Sequence, residues 1–341
     1  MGSDVAEVFP EIEKLRVQLL HNVEVTADFR RVEEEISHQE VLTLIENIIL
    51  GIVTSLSKDE APVLTLPNRS SWANVSFDSA IGLQMSSGSA VTAVRSDCAS
   101  SVTKFAQILK ILSVIYRLVQ SNSYATKRDI YYNNTQLFGS QNTVDHIVDD
   151  ISCMLKVPRR SLHVLATSKG LISGDLCYME EDGTRIDCRS SSAAKGVPDV
   201  NSRLMVRKLW DTLHIPIFAL VDADPHGIEI MCIYKYGSVA MSFEAHSLTV
   251  PSVMWLGLLP SDLRRLRVPE DALIPLTKTD ENKLNSLLQR PYLSSQPDWQ
   301  KEMELMQQSK VKAEIQSLAA IAPDFLTSIY LPNKLRYGGW I

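Results

Sequence analysis

The sequence has no apolar run long enough to be predicted as a membrane span. Its longest apolar stretches, "IENIILGIVTSL" and "IPIFALV", fall well short of the ~20 residues that a transmembrane helix needs. The N-terminal segment "MGSDVAEVFPEIEKL" is acidic and lacks the apolar core of a signal peptide. We therefore expect neither a membrane location nor a secretory route.

Paired cysteines are also missing. The five cysteines form no CxxC motif, and their number is odd. This pattern is typical of free thiols in a reducing compartment, the cytosol or the nucleus.

The chain has no overall excess of positive charge, since its net charge is −6 and its pI about 5.7. A basic balance would have indicated nucleic acid, so its absence counts mildly against such a partner. Positive charge is nevertheless concentrated locally, because residues 151–174 contain no acidic side chain. Solvated helix faces are the alternative interpretation of such clusters. The candidates for contacts with DNA phosphates are Lys127, Arg159, Arg160, Lys169, Lys195, Arg203 and Lys235.

A chain of 341 residues is typical of two domains, here preceded by an extra arm. Residues 1–40 are charged and are predicted to form a mobile or loosely helical arm. Residues 41–101 comprise an amphipathic helix and a Ser- and Pro-rich linker with one or two short strands. The helix either packs on a core or docks a partner. Its apolar face consists of Val41, Leu44, Ile45, Ile48, Ile49, Ile52, Val53 and Leu56.

Residues 102–188 have the element order of a winged helix. We predict a first helix from Phe105 to Val119, a second that Thr126 caps and Gly139 ends, and a third in "TVDHIVDDISCMLKV". The segment "HVLATSKGLISGDLCYME" is then predicted as two short strands around the turn "SKG". Three helices and a hairpin form the module that presents a helix and a basic wing to a DNA groove.

Residues 195–341 alternate strands and helices, which predicts an α/β domain with a mainly parallel sheet. The segment "IPIFALVDADPHG" is predicted as a buried strand that ends in a polar turn. Asp222 and Asp224 share one face at its carboxyl end, where open α/β sheets bind ligands. Neighbouring carboxylates repel each other unless a cation neutralises them, and their hard oxygens suit Mg²⁺. The pair is therefore a candidate magnesium site.

Two other interpretations of "DADPHG" stay open. The first is a solvated Asx turn without a metal. The second is an aspartyl-phosphate phosphatase with a DxDxT/V loop, although this chain has His226 where that loop needs Thr or Val.

The segment "RDIYYNN" raises the question of why two tyrosines stand side by side. Consecutive helical positions point about 100° apart, so Tyr131 and Tyr132 cannot both face one core. A phenol can attack phosphorus, although its pKa of about 10 requires help from a metal, a cation or a base. Arg128 lies on the same helix face as Tyr132 and can stabilise charge on the phosphorane. Tyr132 is therefore a candidate nucleophile for a reversible transesterification, with packing in a core as the alternative, and Tyr131 can pack.

Several segments, in the same order, resemble the meiotic double-strand-break transesterases, the eukaryotic relatives of the A-type component of topoisomerase VI. The resemblance runs from about residue 42 to the end of the chain. The segments are "TKRDIYYNNTQLF", "VPRRSLHVLATSKGLISG", "KGVPDVNSR", "LVDADPHGIEIMCIYKYGS", "LGLLPSDL" and "LPNKLRYGGWI".

The resemblance implies a winged-helix (CAP-like) domain with the tyrosine, followed by a Toprim domain that binds Mg²⁺. The second tyrosine of the family motif R-D-x-Y-Y corresponds to Tyr132, and the family's D-x-D pair corresponds to Asp222 and Asp224. It further implies a nuclear homodimer, in which the tyrosine of one chain works with the metal site of the other. Such a dimer cuts both strands of DNA, stays attached to the 5′ ends and works with an ATPase-like B-type partner.

The chain departs from this family pattern after the wing. A Toprim domain begins with a strand ending in a glutamate that completes the metal site, and no such strand precedes "KGVPDV". A βαβ unit needs about 30 residues or more, which the segment between Cys188 and Lys195 cannot hold. The nearest acids, Glu180 and Glu181, are expected on the wing.

We therefore predict a shortened Toprim domain with apolar faces partly exposed around "IPIFALV". Magnesium binding should be weakened and cleavage reduced or absent. The functional hypotheses are a DNA-cleaving transesterase or its compromised variant, a non-catalytic DNA-binding or scaffolding subunit, and a magnesium-dependent phosphatase.

Overall fold

The computed structural model describes residues 36–86, 88–165, 172–179, 185–188 and 200–341. Two clusters of buried apolar side chains form within them. One is built from the part of the chain before residue 165, and the other from the part after residue 216. Leu83 joins the second cluster although it lies early in the sequence.

Helix α1 (His38–Ser57) is the predicted amphipathic helix. A capping box starts it, because the Glu40 N–H donates to Ser37 Oγ and the Glu40 carboxylate accepts from the Ser37 N–H at 2.7 Å. The N-terminal half of α1 packs on the first cluster, and the Tyr116 hydroxyl donates to Glu46 Oε1 at 2.7 Å. The buried side chains of α1 are Val41, Leu42 and Ile45.

The C-terminal half of α1 exposes large apolar side chains to solvent. By length and composition alone this helix could also cross a membrane. Only part of the apolar face of α1 packs on the first cluster. The helix therefore packs on a core, and its remaining apolar side chains form a surface that a partner could cover. The exposed fractions are 41% for Ile49, 63% for Leu50, 54% for Val53 and 58% for Leu56.

Four short strands occupy the segment predicted as a linker with one or two strands. β1 pairs antiparallel with β4, and β2 pairs antiparallel with β3. Leu64 and Leu66 are buried and alternate with exposed neighbours, as in a half-buried strand. The strands are β1 (Val63–Pro67), β2 (Val75–Asp78), β3 (Gly82–Met85) and β4 (Val91–Arg95).

The next part of the chain contains the three predicted helices and a two-stranded hairpin. The second helix is divided, because a separate short helix precedes Gly139, whose φ is 68°. The predicted turn "SKG" lies outside the described residues. The elements are α2 (Val102–Gln120), β5 (Ala125–Thr126), α3 (Lys127–Tyr132), α4 (Thr135–Phe138), α5 (Gln141–Leu155), β6 (Val164–Leu165), β7 (Cys177–Met179) and β8 (Arg185–Asp187). β6 pairs parallel with β5, and β7 pairs antiparallel with β8. The predicted hairpin around "SKG" is therefore wrong for the described strands, because β6 and β7 each pair with another strand and not with each other.

The C-terminal part is an α/β unit whose described parallel sheet has only two strands. They are β9 and β10, so the predicted larger parallel sheet is not found among the described residues. Residues 215–222 are half-buried rather than buried as predicted. The elements are α6 (Val200–Leu213), β9 (Phe218–Leu220), α7 (Pro225–Tyr236), α8 (Ala245–Leu248), β10 (Met254–Gly257), α9 (Pro260–Arg265), β11 (Ile274–Pro275), α10 (Lys278–Leu288), α11 (Pro297–Ser309), β12 (Val311–Lys312) and α12 (Leu331–Tyr337).

The predicted linker packs against both clusters. Arg69 follows β1, and its Nη2 lies 2.9 Å from Asp150 Oδ1 of α5. Its Nη1 donates to the carbonyl of Ala240, in the C-terminal part, at 2.9 Å. The Arg69 guanidinium thus contacts both parts of the chain. Leu83, from the same linker, is a second connection, because it packs in the second cluster.

A buried carboxylate joins the C-terminal helices. Asp262 of α9 accepts from the Tyr330 hydroxyl at 2.6 Å and from Lys334 Nζ at 2.9 Å, and the side chains of Asp262 and Lys334 are 2% and 4% exposed. These partners lower the pKa of Asp262, although burial itself acts most strongly and in the opposite direction.

Replacing Asp262 with alanine should strongly destabilise the fold. The change leaves the Lys334 ammonium buried without its carboxylate, which typically costs about 3–5 kcal/mol in the free energy of unfolding. Asp298→Ala is the matched control, because its pair with Lys301 is exposed, with side chains 63% and 70% accessible. Urea denaturation of both variants checks this, and equal midpoints would contradict it.

Candidate active site

Helix α3 carries Tyr132 and starts at a defined residue. Thr126 is its N-cap, with the Asp129 N–H donating to Thr126 Oγ1. The Asp129 carboxylate accepts in return from the Thr126 N–H at 2.8 Å and from its hydroxyl at 2.7 Å. Ile130 is only 3% exposed and anchors the helix on the first cluster.

The two tyrosines have different environments, as predicted. Tyr131 is half-buried, and its hydroxyl donates to the Gly139 carbonyl at 3.4 Å. Tyr132 is 69% exposed. Their rings lie 5.4 Å apart with an interplanar angle of 53°. Most of the Tyr132 side chain is therefore exposed to solvent, while Tyr131 packs.

The two basic residues that precede Asp129 also point in different directions. Arg128 is exposed on the side of the helix that carries Tyr132. The Lys127 side chain is 12% exposed, and its ammonium lies 3.5 Å from Asp145 Oδ1 and 3.7 Å from Asp149 Oδ1. Burial lowers the pKa of Lys127, although Asp149 opposes the shift. Arg128 is thus available to a ligand, whereas Lys127 is held by the acids of α5.

The basic run after α5 contains one buried and one exposed arginine. Arg159 is 7% exposed, and its Nη1 lies 3.2 Å from Asp149 Oδ1. Arg160 is exposed. Lys169 and Lys195 lie outside the described residues.

Two of the predicted DNA contacts lie in the interior. Arg203 is 3% exposed, and burial lowers its pKa to about 10, against the opposing effect of Glu244. Lys235 is 9% exposed and donates to the carbonyls of Pro251 at 2.6 Å and Val253 at 2.7 Å. Burial lowers the pKa of Lys235 to about 8. Because protein encloses both side chains, neither is exposed to a DNA phosphate.

The two candidate metal ligands follow β9 directly. Asp222 Oδ1 accepts from the Ile315 N–H at 2.8 Å. Asp224 caps α7, and its Oδ1 accepts from the Gly227 N–H. A Cβ at position 227 would lie 2.7 Å from the Asp222 carbonyl oxygen, so this turn requires glycine. Backbone hydrogen bonds therefore fix both carboxylates, and each retains a second oxygen as a possible ligand.

The third acid is not found among the described residues. There, no group of three or more His, Cys, Asp or Glu side chains could hold a metal ion. Glu180 and Glu181 lie outside the described residues. Two carboxylates still fit Mg²⁺, which commonly completes its shell with water and phosphate oxygens.

Two residues that shape the candidate site were not predicted from the sequence. Asp149 holds both Lys127 and Arg159, and Gly227 permits the turn at Asp222. Two features of the sequence could have indicated these residues. They are the four-residue spacing that places Asp145 and Asp149 on one helix face, and the glycine at the end of "DADPHG".

Two family models match the chain. The model described as "Type IIB DNA topoisomerase" matches residues 103–164. The model of the Toprim domain that Spo11 shares with the A-type component of topoisomerase 6 matches residues 192–335. The first match contains Tyr132, and the second contains Asp222 and Asp224.

Curated relatives match most or all of the chain. The meiotic recombination protein SPO11 of Mus musculus is 53% identical over 395 aligned positions, covering 100% of this chain and 99% of the mouse protein. SPO11 of Homo sapiens is 55% identical, covering 89% of each chain. The A-type component of DNA topoisomerase 6 from Arabidopsis thaliana is 31% identical, covering 88% of this chain and 81% of the plant protein.

The alignment with the mouse protein contains more positions than this chain has residues. It spans 395 positions against 341 residues, so at least 54 positions, the difference between the two lengths, have no residue here. Identity, coverage and the order of the two matched domains agree. The chain belongs to the family of SPO11-type meiotic recombination proteins, which are related to the A-type component of topoisomerase VI.

Proposed function

We propose that this chain is a topoisomerase-like DNA transesterase of meiotic recombination, with Tyr132 as its nucleophile. The observation that carries the proposal is the 69% exposure of Tyr132 on a capped helix whose other apolar side chains pack. A tyrosine that served only the core would be buried, as Ile130 is. Exposure leaves the phenol oxygen accessible to a phosphodiester of double-stranded DNA.

The proposed step exchanges one phosphodiester for another. Tyr132 Oη forms a bond to phosphorus while the bond from phosphorus to the 3′ oxygen breaks. The phenol loses its proton, the departing 3′ oxygen gains one, and no water is consumed. The 5′ end stays attached to the tyrosine, and the reverse step reseals the strand. Breaks in both strands require two such tyrosines, which supports a homodimer.

The charged residues around α3 have two roles in this proposal. Arg128 and Arg160 are exposed, so they can contact the phosphate that Tyr132 attacks and its neighbours. Asp149 holds both Lys127 and Arg159, so Lys127 fixes α3 against α5 and Arg159 fixes the turn after α5 to the same helix. Lys169 and Lys195 remain proposed contacts with the DNA backbone.

Asp222 and Asp224 would hold the magnesium ion. When bound, Mg²⁺ would stabilise negative charge on the phosphate oxygens. The chain itself presents the two carboxylates in a fixed arrangement, through the Ile315 and Gly227 N–H groups. In the proposed dimer these acids act on the DNA that the partner chain's tyrosine attacks.

The exposed face of α1 is the proposed contact for the ATPase-like B-type subunit. Its apolar side chains are unusually exposed for a soluble helix and lie together at its C-terminal end. ATP dependence would enter through that subunit, and a function in meiotic recombination places the complex in the nucleus.

Two observations support reduced cleavage by this chain. The mouse alignment contains positions that this chain lacks, and β9 has only β10 as a neighbour among the described strands. Both fit a Toprim domain without its first strand and glutamate. The same observations favour the second candidate function, a non-catalytic DNA-binding or scaffolding subunit of the same complex.

Tyr132→Phe should abolish every covalent adduct between protein and DNA, because phenylalanine has no oxygen to attack phosphorus. The measurement is the recovery of tyrosine-linked DNA after supercoiled DNA is incubated with the protein, Mg²⁺ and the B-type subunit. Tyr131→Phe is the matched control and should keep its adducts. Adducts that survive Tyr132→Phe would refute the assignment of the nucleophile.

Restoring the missing segment should increase cleavage. A chimaera that carries a Toprim strand with its terminal glutamate between Cys188 and Lys195 should form at least about tenfold more tyrosine-linked DNA than this chain, since a bound metal ion contributes several kcal/mol of charge stabilisation. Equal adduct yields from both proteins would contradict the proposed effect of the missing segment. No adduct from either would favour the scaffolding function.

The double variant Val53→Asp/Leu56→Asp should weaken binding of the B-type subunit by at least about tenfold, because it buries unpaired charge in an apolar contact. Asn47→Asp is the control, since Asn47 is exposed and lies about 120° from Val53 and about 180° from Leu56 around the helix. Co-purification with the tagged B-type protein measures both. Undiminished recovery of the double variant would exclude this face as the contact.

A further inference from the structure

Two histidines connect α1 to the segment that precedes the nucleophile helix. His38 is the first residue of α1, and His163 lies between the 3₁₀ turn Arg159–Leu162 and β6. Their Nε2 atoms are 3.2 Å apart, and the ring centroids are 4.7 Å apart in an edge-to-face arrangement. The two residues are 125 positions apart in sequence, so the contact is a product of the fold.

His163 is held firmly in place. It is 2% exposed, and its backbone has a φ of 56°, a region that most side chains avoid. The Tyr124 ring stacks on it at 4.3 Å with an interplanar angle of 4°. Its Nδ1 lies 3.0 Å from the Ser123 carbonyl oxygen. Burial, stacking and a hydrogen bond all fix this imidazole against residues 123–124.

The Ser123 contact determines the tautomer of the uncharged ring. A carbonyl oxygen only accepts, so Nδ1 of His163 must carry the hydrogen and donate it. Its Nε2 is then an acceptor, and Nε2–H of His38 is the donor that satisfies it. The hydrogen bonds thus run in one direction, from His38 through His163 to the backbone of Ser123.

Residues 123–126 lead directly to the nucleophile helix. The Ala125 N–H donates to the His163 carbonyl at 3.2 Å, and Thr126 pairs with Leu165 in the parallel strands β5 and β6. Thr126 is also the N-cap of α3. His163 therefore fixes the segment through its side chain and its backbone, immediately before the cap that starts the helix of Tyr132.

We infer that His163 is a positioning residue for Tyr132, and that His38 joins α1 to the same hydrogen-bond chain. The inference rests on the proposed function for the role of Tyr132. The contacts that carry it involve no metal and no DNA.

The test is hydrogen exchange of the purified full chain, measured by mass spectrometry on peptides that cover residues 123–132. His163→Ala should accelerate exchange in these peptides by about tenfold, the effect of losing one net hydrogen bond. His163→Asn should restore slow exchange, because asparagine tolerates a positive φ and its amide can donate to Ser123. Rescue by asparagine separates a specific donor from mere filling of space.

His38→Ala should also accelerate exchange in residues 123–132, although His38 lies outside that segment. Gln39→Ala is its matched control, since Gln39 is the next residue of α1 and is also exposed. Helices α2 and α10 serve as internal references and should exchange at their original rates in every variant. His38→Ala removes only an exposed side chain, so the test does not depend on the folding of the His163 variants.

The inference is overturned if His38→Ala leaves residues 123–132 unchanged, or if the references accelerate as much as that segment. Hydrogen exchange does not require cleavage, so these outcomes are independent of the adduct assay. Loss of the nucleophile assignment would show itself in the Tyr132→Phe adducts alone, with the exchange pattern intact.

Discussion

The burial of Ile130 determines how the rest of the active-site helix is presented. Each residue of an α-helix is rotated by about 100° from the previous one. With Ile130 facing the core, Lys127 lies about 60° from it and turns inward, whereas Arg128 and Tyr132 lie about 160° away and face outward. The Thr126 cap fixes where the rotation begins. One apolar contact and one cap thus select which tyrosine is exposed and which basic residue accompanies it.

Half-buried acids of α5 determine which positive charges are held at the protein surface. Asp149 holds Lys127 and Arg159, while Arg128, on the face of α3 that carries Tyr132, is exposed. A run of basic residues in the sequence shows how many positive charges are present, but not which side chains face solvent. The net charge of −6 consequently says little about whether a phosphate can approach this helix.

The sequence predicts features that depend on nearest neighbours along the chain. The Thr126 cap and the separation of Tyr131 from Tyr132 follow from spacing within one or two turns. Long-range contacts could not be predicted, because pairing of β1 with β4 and of His38 with His163 depends on the whole fold. The interior position of Lys235 was missed for the same reason, since the carbonyls that hold it become neighbours only after folding.

The candidate metal site depends on β9 as much as on Asp222 and Asp224. Asp222 follows β9 by two residues, and among the described strands only β10 pairs with it. The Val221 N–H donates to the Gly257 carbonyl at 2.8 Å, and the Leu258 N–H donates to the Val221 carbonyl at 2.7 Å. The other edge of this strand carries N–H and C=O groups that a further strand would pair. A segment that supplied this strand and its terminal glutamate would add a ligand and hold Asp222 from both sides. We therefore expect a missing strand to weaken metal binding by more than the loss of one carboxylate. The two remaining acids follow β9, and among the described strands β9 is paired along one edge.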